Sequence, residues 1–390
     1  VSAVQGDVLL MSMVDLQGDL PARAHHLARH IAKTRGLHAA CMRVLPGRIE
    51  RWRSGSRVER SEWEGVPLAV AHARVGPFSR LMPWGDKHAT RMLERAAASF
   101  ERRFAICIAE DPWAGDAALR LRAAGTVDRV VYDDVDRYAA FIESRRLGSA
   151  LVERLERAAL TRADAVVSVS GELKRRAAEF GVDSTWVPNG VDWALFRVSE
   201  DTPQPLSCVY VGSLHAWAGV REAVLGVGRL IDEGHKATLD IYGFGDPAYE
   251  GSLRELLVSR GWHRSIEIHG RIDPALVPEV LGGHRIGLAT FEPRTLASFA
   301  FPLKVPEYWS AGLGVVGTDI GEVGRLLREG PCGEAVPYDP AAIASAVLRL
   351  SGEITPERMR STREAARMYD WPALMARFDE VLTAAMSDRR

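Results

Sequence analysis

Three carboxylates stand within four positions of Val130-Val-Tyr-Asp-Asp-Val-Asp-Arg-Tyr-Ala-Ala-Phe141. The apolar run before them reads as a strand, and α/β sheets present functional groups at the carboxyl ends of their strands. Crowded carboxylates repel one another and raise at least one pKa, which suits a general base. Asp133 and Asp136 share a face if a helix has begun by then, whereas Asp134 is expected to cap that helix or face solvent. A second constellation lies in Phe301-Pro-Leu-Lys-Val-Pro-Glu-Tyr-Trp-Ser-Ala-Gly-Leu-Gly-Val-Val-Gly-Thr-Asp319. Here a loop enters a helix at Pro302, the helix ends at Gly312 and a buried strand follows. The first turn of a helix offers free N–H groups and a positive dipole end. Lys304 adds a formal charge, and Glu307 lies on the same side. A diphosphate on Lys304 with ribose hydroxyls on Glu307 fits this pattern; a solvated surface pair is the plain alternative.

Two glycine loops add to the second constellation. Gly212-Ser-Leu-His215 follows an apolar strand, and its amides with the Ser213 hydroxyl suit a diphosphate. Ile241-Tyr-Gly-Phe-Gly-Asp246 places Gly243 and Gly245 in the next strand-to-helix turn, a pattern that also marks a simple tight turn. Arg271, in His269-Gly-Arg-Ile272, is placed to stack on a base, and Arg294 is a further candidate cation for the phosphates. His25, His26 and His30 lack the companion carboxylate of a metal helix and read as surface histidines. The stretch 43–60 holds six arginines and two glutamates around Trp52 and reads as a solvated loop. Its second reading is a basic, aromatic patch, including Arg51 and Trp52, that grips an anionic or lipid-diphosphate acceptor or the membrane face presenting it. No metal site and no cofactor are expected.

The elements that must carry these groups follow from the patterning. With 390 residues the chain has room for two domains, and 47% apolar with 26% charged residues is a globular composition. A net charge of −1 gives no overall pull towards nucleic acid. No apolar run nears the roughly 18 residues of a membrane span, and residues 1–5 do not read as a signal peptide. Four scattered cysteines without metal spacing suit a reducing cytoplasm. Strands are expected over 7–13, 37–44, 67–73, 104–109, 129–132, 165–169 and 184–187, with helices between them. One helix starts at Pro21 and stops before Gly36; another shows Leu147, Leu151 and Leu155 at helical spacing. A polar, proline-marked linker follows, and the alternation restarts with strands over 208–211, 237–242, 266–269, 285–290 and 315–317. The last helix carries Leu374, Phe378, Leu382 and Ala385 on one face. Two doubly wound sheets in series imply a cleft between their carboxyl ends.

Two motifs carry a family resemblance. The string from Glu307 to Asp319 resembles the donor signature of the large retaining GT-B glycosyltransferase family, whose glutamate binds the donor ribose. The family's earlier glutamate falls on Phe299, and its usual phosphate cations near the first glycine loop are replaced by Ser213 and Ala218-Gly219. Trp186-Val-Pro-Asn-Gly-Val-Asp-Trp-Ala-Leu-Phe196 resembles the segment that links the two lobes in that family. The N-terminal half is loosely similar to xanthan-type glucuronosyltransferases and teichuronic-acid-type transferases, through the stretch opening at Asp15, through Val75-Gly-Pro-Phe-Ser-Arg80 and through 131–136. That similarity implies Asp136 as the catalytic base and Lys304 as the phosphate lysine, with Asp15 and Arg80 on the acceptor side.

The expected protein is therefore an α/β enzyme of GT-B class with two Rossmann-like domains. Residues 1–197 take the acceptor, 198–371 bind the nucleotide sugar, and 372–390 pack back on the first domain. The expected activity moves a hexose-type sugar from a nucleoside-diphosphate donor, UDP favoured, to a hydroxyl of a glycan, glycolipid or small molecule, without a metal. A nucleotide-sugar 2-epimerase and a catalytically silent binding protein of the same fold are the alternatives.

Overall fold

The structure is a computed structural model that describes residues 7–18, 22–46, 57–75, 84–142, 146–199, 203–293 and 295–387. It divides into two compact units: Val1–Pro188 with Pro372–Arg390, and Asn189–Trp371. Among the described residues no helix is long and apolar enough to cross a membrane.

In the first unit the strands are β1 (Val8–Ser12), β2 (Leu37–Pro46), β3 (Arg57–Trp63), β4 (Val66–Val75), β5 (Phe104–Ala109), β6 (Val127–Asp134), β7 (Ala165–Ser168) and β8 (Thr185–Trp186). They form one sheet in the order β3-β4-β2-β1-β5-β6-β7-β8. Every described pair is parallel except the β3–β4 hairpin. The central strand β1 is buried along its whole length, as a parallel strand covered on both faces must be.

The described ends of the stretch 43–60 depart from the loop expectation. Arg43 lies on β2 and Arg57 opens β3, whose register pairs Trp63 with Val66 across Glu64 and Gly65. Both turn residues have positive φ, 47° and 83°, the two-residue turn that matches the twist of a hairpin. Arg57, Glu59, Arg60 and Glu62 keep this edge charged, which discourages pairing with another chain. A charged edge strand lacks apolar alternation, so the pattern hid it. Arg51 and Trp52 lie outside the described residues, as does Arg80.

The helix Arg23–Thr34 follows β1 and stops short of Gly36; Pro21 lies outside the described residues. His25, expected on the surface, is buried and caps the helix: Nδ1 accepts the Ala22 N–H at 3.0 Å, and Nε2 faces the Leu16 carbonyl at 3.2 Å. Beside it Arg23 ties four segments together. Nε and Nη2 donate to the two oxygens of Asp133 at 2.7 and 3.0 Å, and Nη1 donates to the Pro188 carbonyl at 2.9 Å. The guanidinium also lies over the ring of Phe378, on the helix Trp371–Ser387. That helix buries Leu374, Phe378, Leu382 and Ala385, while Asp379 accepts from Arg35 and Arg377 donates to the Trp186 carbonyl.

The helix Arg146–Arg162 turns a different face inward from the leucine stripe. Val152, Glu156, Ala159 and Leu160 are buried, whereas Leu151 and Leu155 are only half-buried; the Leu147 side chain lies outside the described residues. A glutamate thus occupies a core position.

The second unit carries β9 (Ser207–Val211), β10 (Thr238–Tyr242), β11 (Ile266–Gly270), β12 (Ile286–Ala289), β13 (Gly314–Thr318) and β14 (Gly333–Val336), in the order β11-β10-β9-β12-β13-β14 and all parallel. The short, half-buried β14 gave no apolar signal. Residues 189–197 pack in this unit. Val191 bridges to Asp370, the Trp193 indole donates to the Arg363 carbonyl at 2.8 Å, and Arg363 donates back to the Phe196 carbonyl.

Arg23→Met should cost about 3–5 kcal/mol in urea unfolding, because it strands the Asp133 carboxylate in the core. Replacing both partners, as Arg23→Met with Asp133→Leu, should recover most of that loss. A single variant as stable as the parent would show that the pair carries no such weight.

Candidate active site

The carboxyl edge of β5 and β6 gathers six carboxyl groups: Glu110, Asp111, Asp133, Asp134, Asp136 and Glu156. Asp111 is spent locally. It caps the helix Pro112–Ala123 through the Trp113 and Ala114 N–H groups and accepts the Met13 N–H at 2.7 Å. Asp133 is spent on Arg23. Glu110 is buried with a partnerless Oε1, and burial, then the Asp133 charge, pushes it up to about 8. Glu110 therefore holds a proton at neutral pH, while burial pushes Asp133 up as well and the Arg23 guanidinium opposes that push.

Asp134 corrects the expectation of a cap or a solvated group. It is fully buried as the last residue of β6, and neither carboxyl oxygen has a partner among the described residues. Burial holds it well above the ordinary carboxylate range, with the Arg176 charge opposing that push. Asp136 is different. It sits on the half-buried segment after β6, before the turn Tyr138–Ile142. Burial pushes it up to about 7, and the nearby charge of Glu156 adds to that. The group that tunes Asp136 is thus Glu156 rather than Asp133, because β6 runs on through Asp134 and no helix puts 133 and 136 on one face.

In the second unit the two glycine loops are sewn to each other. The Gly212 N–H donates to Tyr242, the Leu214 N–H to Phe244 and the Asp246 N–H to Leu214, which continues the β9–β10 ladder past the strand ends. A Cβ on Gly243 would stand 1.7 Å from the Gly212 oxygen, and one on Gly245 would stand 2.2 Å from the Leu214 oxygen. These glycines are required by backbone contact. The Gly212 and Leu214 amides are consequently committed, and the Ser213 carbonyl accepts the Tyr210 hydroxyl at 2.9 Å.

Lys304 stands against this seam. Its Nζ is 3.9 Å from the centroid of the Tyr210 ring and 4.8 Å from that of Phe291, and a Cβ on Gly212 would be 2.9 Å from it. Phe291 stacks on Trp217, which stacks on His215, so an aromatic wall backs the ammonium. The helix that carries it spans only Lys304–Ser310, shorter than the run from Pro302 to Gly312, so the charge of Lys304 outweighs the dipole. Burial brings Lys304 down to about 7 and Glu307 up to about 7, each opposed by the other's charge. Tyr308 braces the helix, its hydroxyl accepting the Val211 N–H at 2.9 Å, and Gly287 leaves room for its ring.

After the first glycine loop Ala218 is buried, and Gly219 is held close against the Thr290 backbone. Gly219 has φ 66°, and a Cβ on it would lie 2.8 Å from the Thr290 carbonyl carbon. Arg271 is exposed over the Phe244 ring, 5.0 Å from its centroid, while Arg294 lies outside the described residues. Asp15 is bound by Arg43 at 2.5 Å, and that bond, against the cost of burial, holds its carboxyl below the ordinary range. Among the described residues Asp240, Glu267 and His269 form a cluster with metal-ligand atoms within 4.8 Å. Asp240 engages His269 at 2.6 Å and His284 at 3.0 Å, and His269 stacks on Tyr242, so the cluster's side chains have partners within the protein.

Glu110, Glu156 and Arg23 were not singled out from the sequence. Glu110 follows an apolar strand, as Asp133 does, and that position was its available signal. Nothing local marks Glu156, whose burial is set by the strand and helix it faces.

Asp136 binds its proton more tightly folded than unfolded, because about 7 lies above its ordinary 3.8. The native state then holds more protons between those values, and stability falls as pH rises through the window. Relative to Asp136→Asn, the parent should lose urea resistance from about pH 4 to about pH 7 and run level on either side. A flat difference across that window would show that Asp136 titrates like an exposed carboxylate.

Two family models match the chain. "Glycosyltransferase Family 4" covers residues 23–194, and "Glycosyl transferases group 1" covers 205–353. A glycogen synthase of Mycobacterium tuberculosis is 25% identical over 245 residues, 58% of this chain and 56% of that protein. The putative teichuronic acid biosynthesis glycosyltransferase TuaH of Bacillus subtilis is 25% identical over 273 residues, 63% of this chain and 65% of that protein. The matches thus span less than two thirds of either relative. Sucrose-phosphate synthase from Thermosynechococcus elongatus superposes with a TM-score of 0.75 at 15% identity, covering 97% of this chain and 99% of that one. HepE of Anabaena, solved in complex with UDP, superposes at 0.69 and 14%, covering 97% and 100%. A parallel α/β sheet in each unit, one family match on each and neighbours of this architecture together make the chain a member of the GT-B glycosyltransferases.

Proposed function

We propose that this protein transfers a hexose-type sugar from a UDP-sugar to a hydroxyl of a glycan, glycolipid or small-molecule acceptor, with inversion and without a metal. The observation that carries the reading is Lys304, an ammonium depressed by burial and seated against the Gly212 and Gly243 loops. A cation held this way gains most from a doubly charged ligand, which would return it to full protonation. Glu307, three residues on, takes the ribose hydroxyls. Arg271 and Phe244 supply a flat surface for the base. UDP is favoured because HepE was solved with it.

In the reaction the acceptor oxygen attacks the anomeric carbon while its proton passes to Asp136. The bond from that carbon to the diphosphate oxygen breaks, and the departing charge goes to Lys304 and the Ser213 hydroxyl, the role that a divalent ion plays elsewhere. Asp136 suits the step because its pKa of about 7 lies near working pH. Lys304 and Asp136 belong to different units, so donor binding and proton removal are separable by mutation. A cytoplasmic setting, with the stretch 43–60 meeting an acceptor at the membrane face, belongs to the same proposal.

Glu307→Ala should weaken UDP binding at least roughly tenfold by calorimetry, since each charge-assisted bond contributes about 1.5–3 kcal/mol. Asp136→Asn should lower turnover by about 10²- to 10⁴-fold with UDP affinity unchanged. Activity should also persist in EDTA. Loss in chelator with recovery on manganese or magnesium would remove Lys304 from its role, and UDP affinity indifferent to Glu307 would sink the donor assignment.

A further inference from the structure

Glu156 has no exposed surface, on a helix face otherwise made of Val152, Ala159 and Leu160. Its Oε1 accepts the Ala139 N–H at 3.0 Å, and its Oε2 accepts from Arg176 Nη2 at 2.6 Å. Ala139 belongs to the turn Tyr138–Ile142, which begins two residues after Asp136. The carboxylate thus pins the backbone immediately behind Asp136. Several titratable or charged groups face it. Tyr132 and Asp134 come from β6, Asp136 and Arg137 from the segment after it, and Arg176 from the helix Gly171–Glu179. Arg137 leans towards Glu153 at 3.7 Å, and burial holds Asp134 well above the ordinary carboxylate range, so Arg176 at 2.6 Å is the close counter-charge.

A brace between helix and turn does not call for a charge. An apolar side chain of similar size would fill the same space without the cost of burying an ion pair. We propose that Glu156 is a positioning residue for Asp136: it fixes the turn behind that carboxylate through Ala139 and holds a negative charge against it, keeping it a competent proton acceptor. The inference rests on the reading of Asp136 as the base. It is consistent with the push that brings Asp136 up to about 7, in which burial comes first and the Glu156 charge second.

The test is the pH dependence of kcat/KM, whose acidic limb reports the free enzyme's base. Glu156→Gln keeps an oxygen for the Ala139 N–H but removes the charge. Its acidic limb should move to lower pH by about one unit, with UDP affinity as in the parent. Glu156→Ala also frees the Ala139 N–H and should lower kcat well below that of Glu156→Gln. Because Glu156→Gln leaves Arg176 without its carboxylate, the double variant Glu156→Gln with Arg176→Gln removes the buried pair as a unit; it should show the same downward movement. An acidic limb that stays in place in folded variants overturns the inference. Asp136→Asn separates this failure from a failure of the base itself. If Asp136→Asn is inactive and the limb still does not move, Glu156 alone has been misread; if Asp136→Asn turns over normally, the base has.

Discussion

Six carboxyl groups meet at one edge of the first sheet, and two buried guanidiniums answer them. The rest of that unit follows from how the shortage of positive charge is shared. Arg23 takes Asp133 in a two-pronged pair and also reaches the Pro188 carbonyl and the Phe378 ring. One cation thereby joins the first helix, β6, the end of the first stretch of chain and the C-terminal helix. Arg176 takes Glu156. Glu110 and Asp134 form no ion pair among the described residues, and burial pushes both above the ordinary carboxylate range, because a buried charge without a close partner is costly. Asp136, on the half-buried segment after β6, is pushed by burial to about 7 and so gains and loses its proton near neutral pH.

The second unit solves the opposite problem, where to put a positive charge. Its two glycine loops are closed against each other by backbone hydrogen bonds, so most of their amides have partners. What the seam leaves is a wall of Tyr210, Phe291 and Trp217 with Lys304 upon it. Aromatic faces stabilise an ammonium without neutralising it. Beside the seam, Gly219 lies close against the Thr290 backbone. Burial is what depresses the pKa of Lys304, with the charge of Glu307 opposing the shift.

The relation between the two halves of the chemistry is one of contrasting electrostatics. Buried acids and a tunable carboxylate line one sheet edge, and a desolvated ammonium lines the other. Both depend on groups that are costly to bury: Asp134, whose oxygens have no partner among the described residues, and Lys304, whose charge burial disfavours and Glu307 supports. Binding sites commonly carry such unfavourable groups, because a ligand that satisfies them gains the corresponding free energy.

The sequence by itself determined the class of fold, the alternation of strands and helices in two blocks, and the short strings that hold Asp136, Lys304 and Glu307. Those features are local: an apolar run, a glycine turn and a charge three residues from another are all contained in a few neighbouring positions. It also fixed the inward face of the last helix, where Leu374, Phe378, Leu382 and Ala385 repeat at helical spacing. The tertiary structure decided which acid has a partner. Asp133, Asp134 and Asp136 look alike in sequence, yet Arg23 from 110 residues away claims the first, burial silences the second, and Glu156 tunes the third. It decided that β3 is a strand despite its charges, because its partner strand and the Glu64-Gly65 turn supply what its own pattern lacks. It decided, too, that Glu156 faces inward on a helix whose leucines suggested another side. Electrostatic roles are set by what comes within a few ångströms in space, and a string of residues does not contain that distance.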